Sequence, residues 1–129
     1  MTGKPTIGIF GLGAFGRLVA TRLAPFAQVL GHDPCAEPPA CVTPAAEARV
    51  ADCDIVILAV PVQRLADCLH RIAPHLRPGA LVIDVASVKV EPLGLMTQIL
   101  PAHVQILGTH PMFGPQSVDQ PDLTCVLCP

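Results

Sequence analysis

Two features of this chain could do chemistry. The first is a titratable imidazole, His110, set in ILGTHPMFGPQS (residues 106–117). Histidine titrates near neutral pH and can serve as a general base. Pro111 directly after it limits the backbone, so the ring could be held at one distance from a substrate. The second is the loop GLGAFG, in which Gly11, Gly13 and Gly16 form G-x-G-x-x-G. It follows an apolar run, opens a helical pattern and has an acid, Asp33, about twenty residues on, which is the context that lets such a loop hold a dinucleotide. Gly11 permits the tight turn, Gly13 a close approach of backbone to pyrophosphate, and Gly16 close packing of helix on strand. The loop as a whole (Gly11, Leu12, Gly13, Ala14, Phe15 and Gly16) would present main-chain amides to phosphate at a helix N-terminus. Asp33 could accept hydrogen bonds from both hydroxyls of an adenosine ribose and would repel a 2′-phosphate, which favours NAD over NADP.

The elements that must position these residues alternate between short apolar runs and amphipathic stretches. Strands are expected at TIGIFG (6–11), AQVLGHD (27–33), DIVILAVP (54–61), ALVIDVAS (80–87), HVQILG (103–108) and DLTCVLC (122–128). Helices are expected over 14–24, 44–51, 62–76 and 90–100, and residues 34–44 read as a Pro/Cys-rich connection. Such alternation predicts βαβ units, hence an α/β, Rossmann-type, mostly parallel doubly wound sheet in one domain covering residues 1–129. Asp33, Pro61, Ser87 and, two residues past its strand, His110 then fall at carboxyl ends of strands and should face one crevice. In AVP (59–61), Val60 and Pro61 would let a dinucleotide lie against the sheet; a plain strand-to-helix stop explains them equally well. In DVASVK (84–89), spacing alone favours Ser87 as a helix cap.

Composition narrows the partners. The 129 residues are 51% hydrophobic, with no Trp or Tyr and four Phe, so the core must be aliphatic. That suits strands buried on both faces. A net charge of −2 with no basic run argues against nucleic acid and anionic membrane surfaces. No apolar run approaches the roughly 20 residues of a membrane span, and no signal-peptide pattern is present. A reduced, cytoplasmic protein is expected. Of the six cysteines, Cys53 and Cys68 read as small core residues, and Cys125–Cys128 (CVLC) as the end of a buried strand rather than half a metal site. His70 and His75, spaced apart on the third helix, form no metal cluster with His32 and His103.

DVASVK followed by LGTHPMFGP resembles the prephenate/arogenate dehydrogenase family of tyrosine biosynthesis, most closely the dehydrogenase part of the bifunctional chorismate mutase–prephenate dehydrogenase. The likeness runs from the glycine loop to the final strand. It implies NAD-dependent oxidative decarboxylation of prephenate or arogenate, with His110 as the catalytic base, Ser87 hydrogen-bonded to His110 and the substrate hydroxyl, and Lys89 nearby. It thereby displaces the capping role for Ser87. It also implies a helical domain that supplies a dimer interface and a carboxylate-binding arginine. That domain is not among these residues, so the chain alone should be inactive and should self-associate through the surface left uncovered. Two other readings stay open. Another small Rossmann oxidoreductase would share GxGxxG and AVP but not HPMFGP after SVK. A non-catalytic NAD-binding or regulatory module would have no use for His110.

Overall fold

The computed structural model describes residues 4–86, 90–111 and 125–128; for Val90, His110, Cys125, Val126 and Cys128 it describes the backbone. Ser87, Lys89 and the stretch from Met112 to Pro115 lie outside the described residues. The described residues form a seven-stranded sheet flanked by helices. β1 (Thr6–Phe10), β2 (Gln28–His32), β3 (Thr43–Pro44), β4 (Ile55–Leu58), β5 (Leu81–Asp84), β6 (Gln105–Pro111) and β7 (Cys125–Cys128) alternate with α1 (Ala14–Leu23), α2 (Glu47–Ala51), α3 (Val62–Ile72) and α4 (Val90–Ile99). The strand order is β3-β2-β1-β4-β5-β6-β7. The first six strands are parallel and β7 is antiparallel to β6. The order reverses direction between β1 and β4, so a crevice opens there beyond the carboxyl ends of the strands.

The sheet has a core on each face, as its alternating side chains require. On one side Phe10, Val56, Leu58 and Val82 pack with Leu65, Leu69 and Ile72 of α3 and Met96 of α4. On the other, Ile7, Ile9, Val29 and Ile57 pack with Ala20 of α1. α3 presents Leu65, Cys68, Leu69 and Ile72 inward, the i, i+3, i+4, i+7 stripe of an amphipathic helix. At the amino ends of the strands, Asp54 accepts hydrogen bonds from the Thr6 amide and hydroxyl, and Arg77 donates to Asp54 and Asp52.

Four expectations need correction. The connection 34–44 contains β3, two exposed residues with a proline; parallel pairing with Leu30 and Gly31 holds it at the sheet edge, where proline is tolerated. α3 ends at Ile72 and not 76, because Pro74 turns the chain into a 3-10 turn, Ala73–His75, so His75 is not on the helix with His70. β6 does not stop at 108: pairing with β7 carries it to Pro111, and His110 lies within the strand opposite Val126. The last strand, described over Cys125–Cys128, is not the buried strand expected. It is the sheet's edge, and Leu127 on it is 61% exposed.

Candidate functional site

A cleft of about 560 Å³ opens at the carboxyl ends of β1, β2 and β4, within the usual size range of small-molecule sites. Gly11 and Gly13 form its floor, Asp33 and Cys35 one side, and Val60 and Pro61 the other. Gly11 has φ +96°, a conformation that disfavours any side chain. A Cβ at Gly16 would overlap the carbonyl oxygen of Gly11, so the helix can lie this close to the turn only without one. Gly13 is different: a Cβ there would meet nothing within 4 Å. Internal packing therefore accounts for Gly16 and leaves Gly13 without an internal reason. α1 begins with no side-chain cap and no acid in its first turn. The partial positive charge at its amino end is thus not neutralised by a carboxylate of its own first turn.

Asp33 ties the two loops of the cleft together. Leu12 N–H donates to its Oδ2 at 2.7 Å, and the amides of Cys35 and Ala36 donate to its Oδ1 at 2.8 and 3.0 Å. Partial burial pushes the carboxyl's pKa up, but the three amides, with help from nearby His32, outweigh it and hold it below the usual value. Oδ1 has two donors and Oδ2 one, which leaves room for one further donor where the sequence suggested two. Of the other loop residues, Leu12 has a buried side chain and its amide is taken by Asp33. Leu12, Ala14, Phe15 and Gly16 do not line the cleft.

The cleft also has walls that sequence reasoning missed. His32 lies beside Phe10, with ring centres 6.4 Å apart, and its Nδ1 is 3.4 Å from the Ala45 carbonyl. Glu47 of α2 and Arg71 of α3 close one side with an ion pair of 2.9 Å, and Arg64 flanks it. Arg64, Cys68 and Arg71 are spaced i, i+4, i+7, so one helix face faces the cleft; that spacing was the available signal. Burial pushes the Cys68 thiol up to about 11, which leaves it protonated at neutral pH.

Among the described residues, none that lines this cleft comes from β5 or β6. His110 is at the carboxyl end of β6, and so at the same end of the sheet as Gly11 and Asp33. Among the described residues no group of three or more His, Cys, Asp or Glu could hold a metal ion, and no helix is long and apolar enough to cross a membrane.

The parallel sheet, the glycine turn and the acid after β2 define a Rossmann-type nucleotide-binding unit. Comparison with known proteins makes this more specific. The family model described as "Prephenate dehydrogenase, nucleotide-binding domain" matches residues 40–122, and the chain belongs to that family. The T-protein of Haemophilus influenzae is 36% identical over 83 residues, which are 64% of this chain and 22% of that protein. Arogenate dehydrogenase 1, chloroplastic, of Arabidopsis thaliana is 42% identical over 66 residues, 50% of this chain and 10% of that protein. The chain thus matches a minor part of the length of these relatives. The crystal structure of A. aeolicus prephenate dehydrogenase, in complex with hydroxyphenyl propionate and NAD+, superposes with a TM-score of 0.79 at 21% identity. It covers 100% of this chain and 51% of that one, a likeness of fold.

Proposed function

We propose that this chain is the NAD-binding half of an enzyme that oxidatively decarboxylates prephenate or arogenate. One observation carries the reading: the glycine-turn cleft and His110 share one end of a parallel sheet. From β2 to β6 there are four inter-strand spacings, about 19 Å, a reach suited to an extended dinucleotide. The residues fit such a cofactor. The uncapped start of α1 and the open space over Gly13 suit its pyrophosphate, and Asp33 has an acceptor position left for a ribose hydroxyl. NAD, when bound, supplies a hydride acceptor.

In this reading His110 accepts the proton of the ring hydroxyl as hydride leaves the carbon that bears it. The oxygen's electrons form the carbonyl, and loss of the ring carboxylate as CO2 then aromatises the ring, which makes the reaction essentially irreversible. Ser87 would hydrogen-bond His110 and the substrate hydroxyl, and Lys89 would stand near the substrate. The substrate's carboxylates would be bound by a helical domain or a second copy of the chain, which would also cover the β7 edge where Leu127 is exposed.

The test is His110→Asn in the full gene product. NAD affinity should stay within about threefold while kcat falls about 10²–10⁴-fold, the usual worth of a general base. Turnover at the wild-type rate would refute the assignment.

A further inference from the structure

β5 and β6 pair in parallel only as far as Asp84 opposite Gly108. Beyond that point β6 continues through Thr109 and His110 with β7 as its partner. Two hydrogen bonds secure the fork. Thr109 Oγ1 donates to the Asp84 carbonyl oxygen at 2.8 Å, and Ala86 N–H donates to Asp84 Oδ1 at 3.2 Å. Asp84 and Thr109 are 2% and 5% exposed, the two buried polar residues among the described side chains. The next buried position on the same strand face is Val82, so packing alone would be met by an apolar residue at 84. A sealed carboxylate is costly unless its bonds do something a hydrocarbon cannot. Here they hold two backbones at once. Through its main-chain oxygen Asp84 holds the residue before His110, and through its carboxylate it holds the residue before Ser87.

We propose that Asp84 and Thr109 are positioning residues: they set the separation of the two chain segments that carry His110 and Ser87. The inference rests on the reading of His110 as base with Ser87 beside it. A reacting group displaced by an ångström loses about a hundredfold in rate even when its chemistry is unchanged. Deleting only the Thr109 hydroxyl should therefore reduce turnover and leave binding alone.

The experiment is steady-state kinetics on the full gene product carrying Thr109→Val or Thr109→Ser, with His110→Asn in parallel. Thr109→Val should lower kcat about ten- to a hundredfold with KM for NAD and substrate within about twofold. Thr109→Ser, which restores the hydroxyl, should return kcat to within about threefold of wild type. A wild-type kcat in Thr109→Val overturns the proposal, as does a loss that serine fails to rescue. If the valine variant does not fold, Thr109→Ala replaces it: alanine must be slow where serine is fast, and equal rates overturn the proposal. Failure of the parent reading is seen on a different variant, as an unimpaired His110→Asn.

Discussion

Asp33 and Asp84 occupy equivalent places, just after β2 and at the end of β5, and each accepts a hydrogen bond from the amide two residues on. This is the local turn that aspartate favours. Their surroundings differ. Asp33 faces the cleft and also takes the Leu12 amide from a separate loop, whereas Asp84 is sealed in the sheet under the Thr109 bond. The same residue in the same turn thus faces the cleft in one place and is buried within the sheet in the other. The crevice opens where the strand order reverses, between β1 and β4. Asp33, after β2, and Asp84, at the end of β5, each lie one strand from that point, on opposite sides of it.

The largest effects should come from the loop that Asp33 braces. Gly16→Ala puts a methyl against the Gly11 carbonyl, a backbone group with no flexible atom to yield. A loss of about 3 kcal/mol or more is expected, seen as a collapsed denaturation midpoint. Gly13→Ala adds the same methyl to open space. Its stability should stay within about 0.5 kcal/mol of wild type, while nucleotide affinity falls about tenfold or more if backbone approach matters as it does in such loops. Equal destabilisation by both would mean that Gly13 also serves packing and that the cleft floor is not free.

The two aspartates should separate in nucleotide affinity, with smaller effects. Asp84→Ala leaves the part-buried Ala86 amide without its acceptor and should cost about 1–3 kcal/mol of stability. Asp33→Ala leaves the amides of Leu12, Cys35 and Ala36 without their acceptor, so it should cost stability as well. Nucleotide affinity should fall about tenfold or more, the worth of a charge-assisted hydrogen bond. The pH profile adds a signature. The native Asp33 carboxyl lies below its usual value of 3.8, so its contribution to stability is complete above that value and is lost as pH falls through the lowered one. Wild type should therefore lose its advantage over Asp33→Ala in acid titrations below about pH 4. Part of the acid sensitivity should survive in the variant, because Asp54 is also held low by the Thr6 amide and hydroxyl and by Arg77.

What the sequence revealed follows the same division. Gly11, Gly16 and Asp33 were legible because their roles are local: a positive φ, a helix packed on its own turn, an acid just past a strand. The apolar runs of β1, β2, β4 and β5 were legible because strands buried on both faces need no other pattern. β3 was not, since two exposed residues with a proline are strand only by virtue of the neighbour they pair with. Nor was the true end of β6, which an antiparallel partner fixes from the far end of the chain. The Glu47–Arg71 wall joins residues 24 apart in sequence, and only the placing of α2 beside α3 brings them to the cleft.

The smallest effect is chemical labelling, which maps the open side of the comparison. Cys35 and Cys41 are exposed and Cys53 and Cys68 are buried. Burial raises the pKa of both buried thiols, Cys68 to about 11, and reactivity follows the thiolate and its access. A brief exposure of the native protein to iodoacetamide, read by peptide mass spectrometry, should label Cys35 and Cys41 and spare Cys53 and Cys68. Cys35 lines the cleft beside Asp33, while Cys41 stands outside it near Thr21. Saturating NAD should therefore slow labelling of Cys35 several-fold and leave Cys41 unchanged. Protection of neither, with NAD shown to be bound, would move the adenosine away from Asp33 and would leave that carboxylate a brace for the backbone.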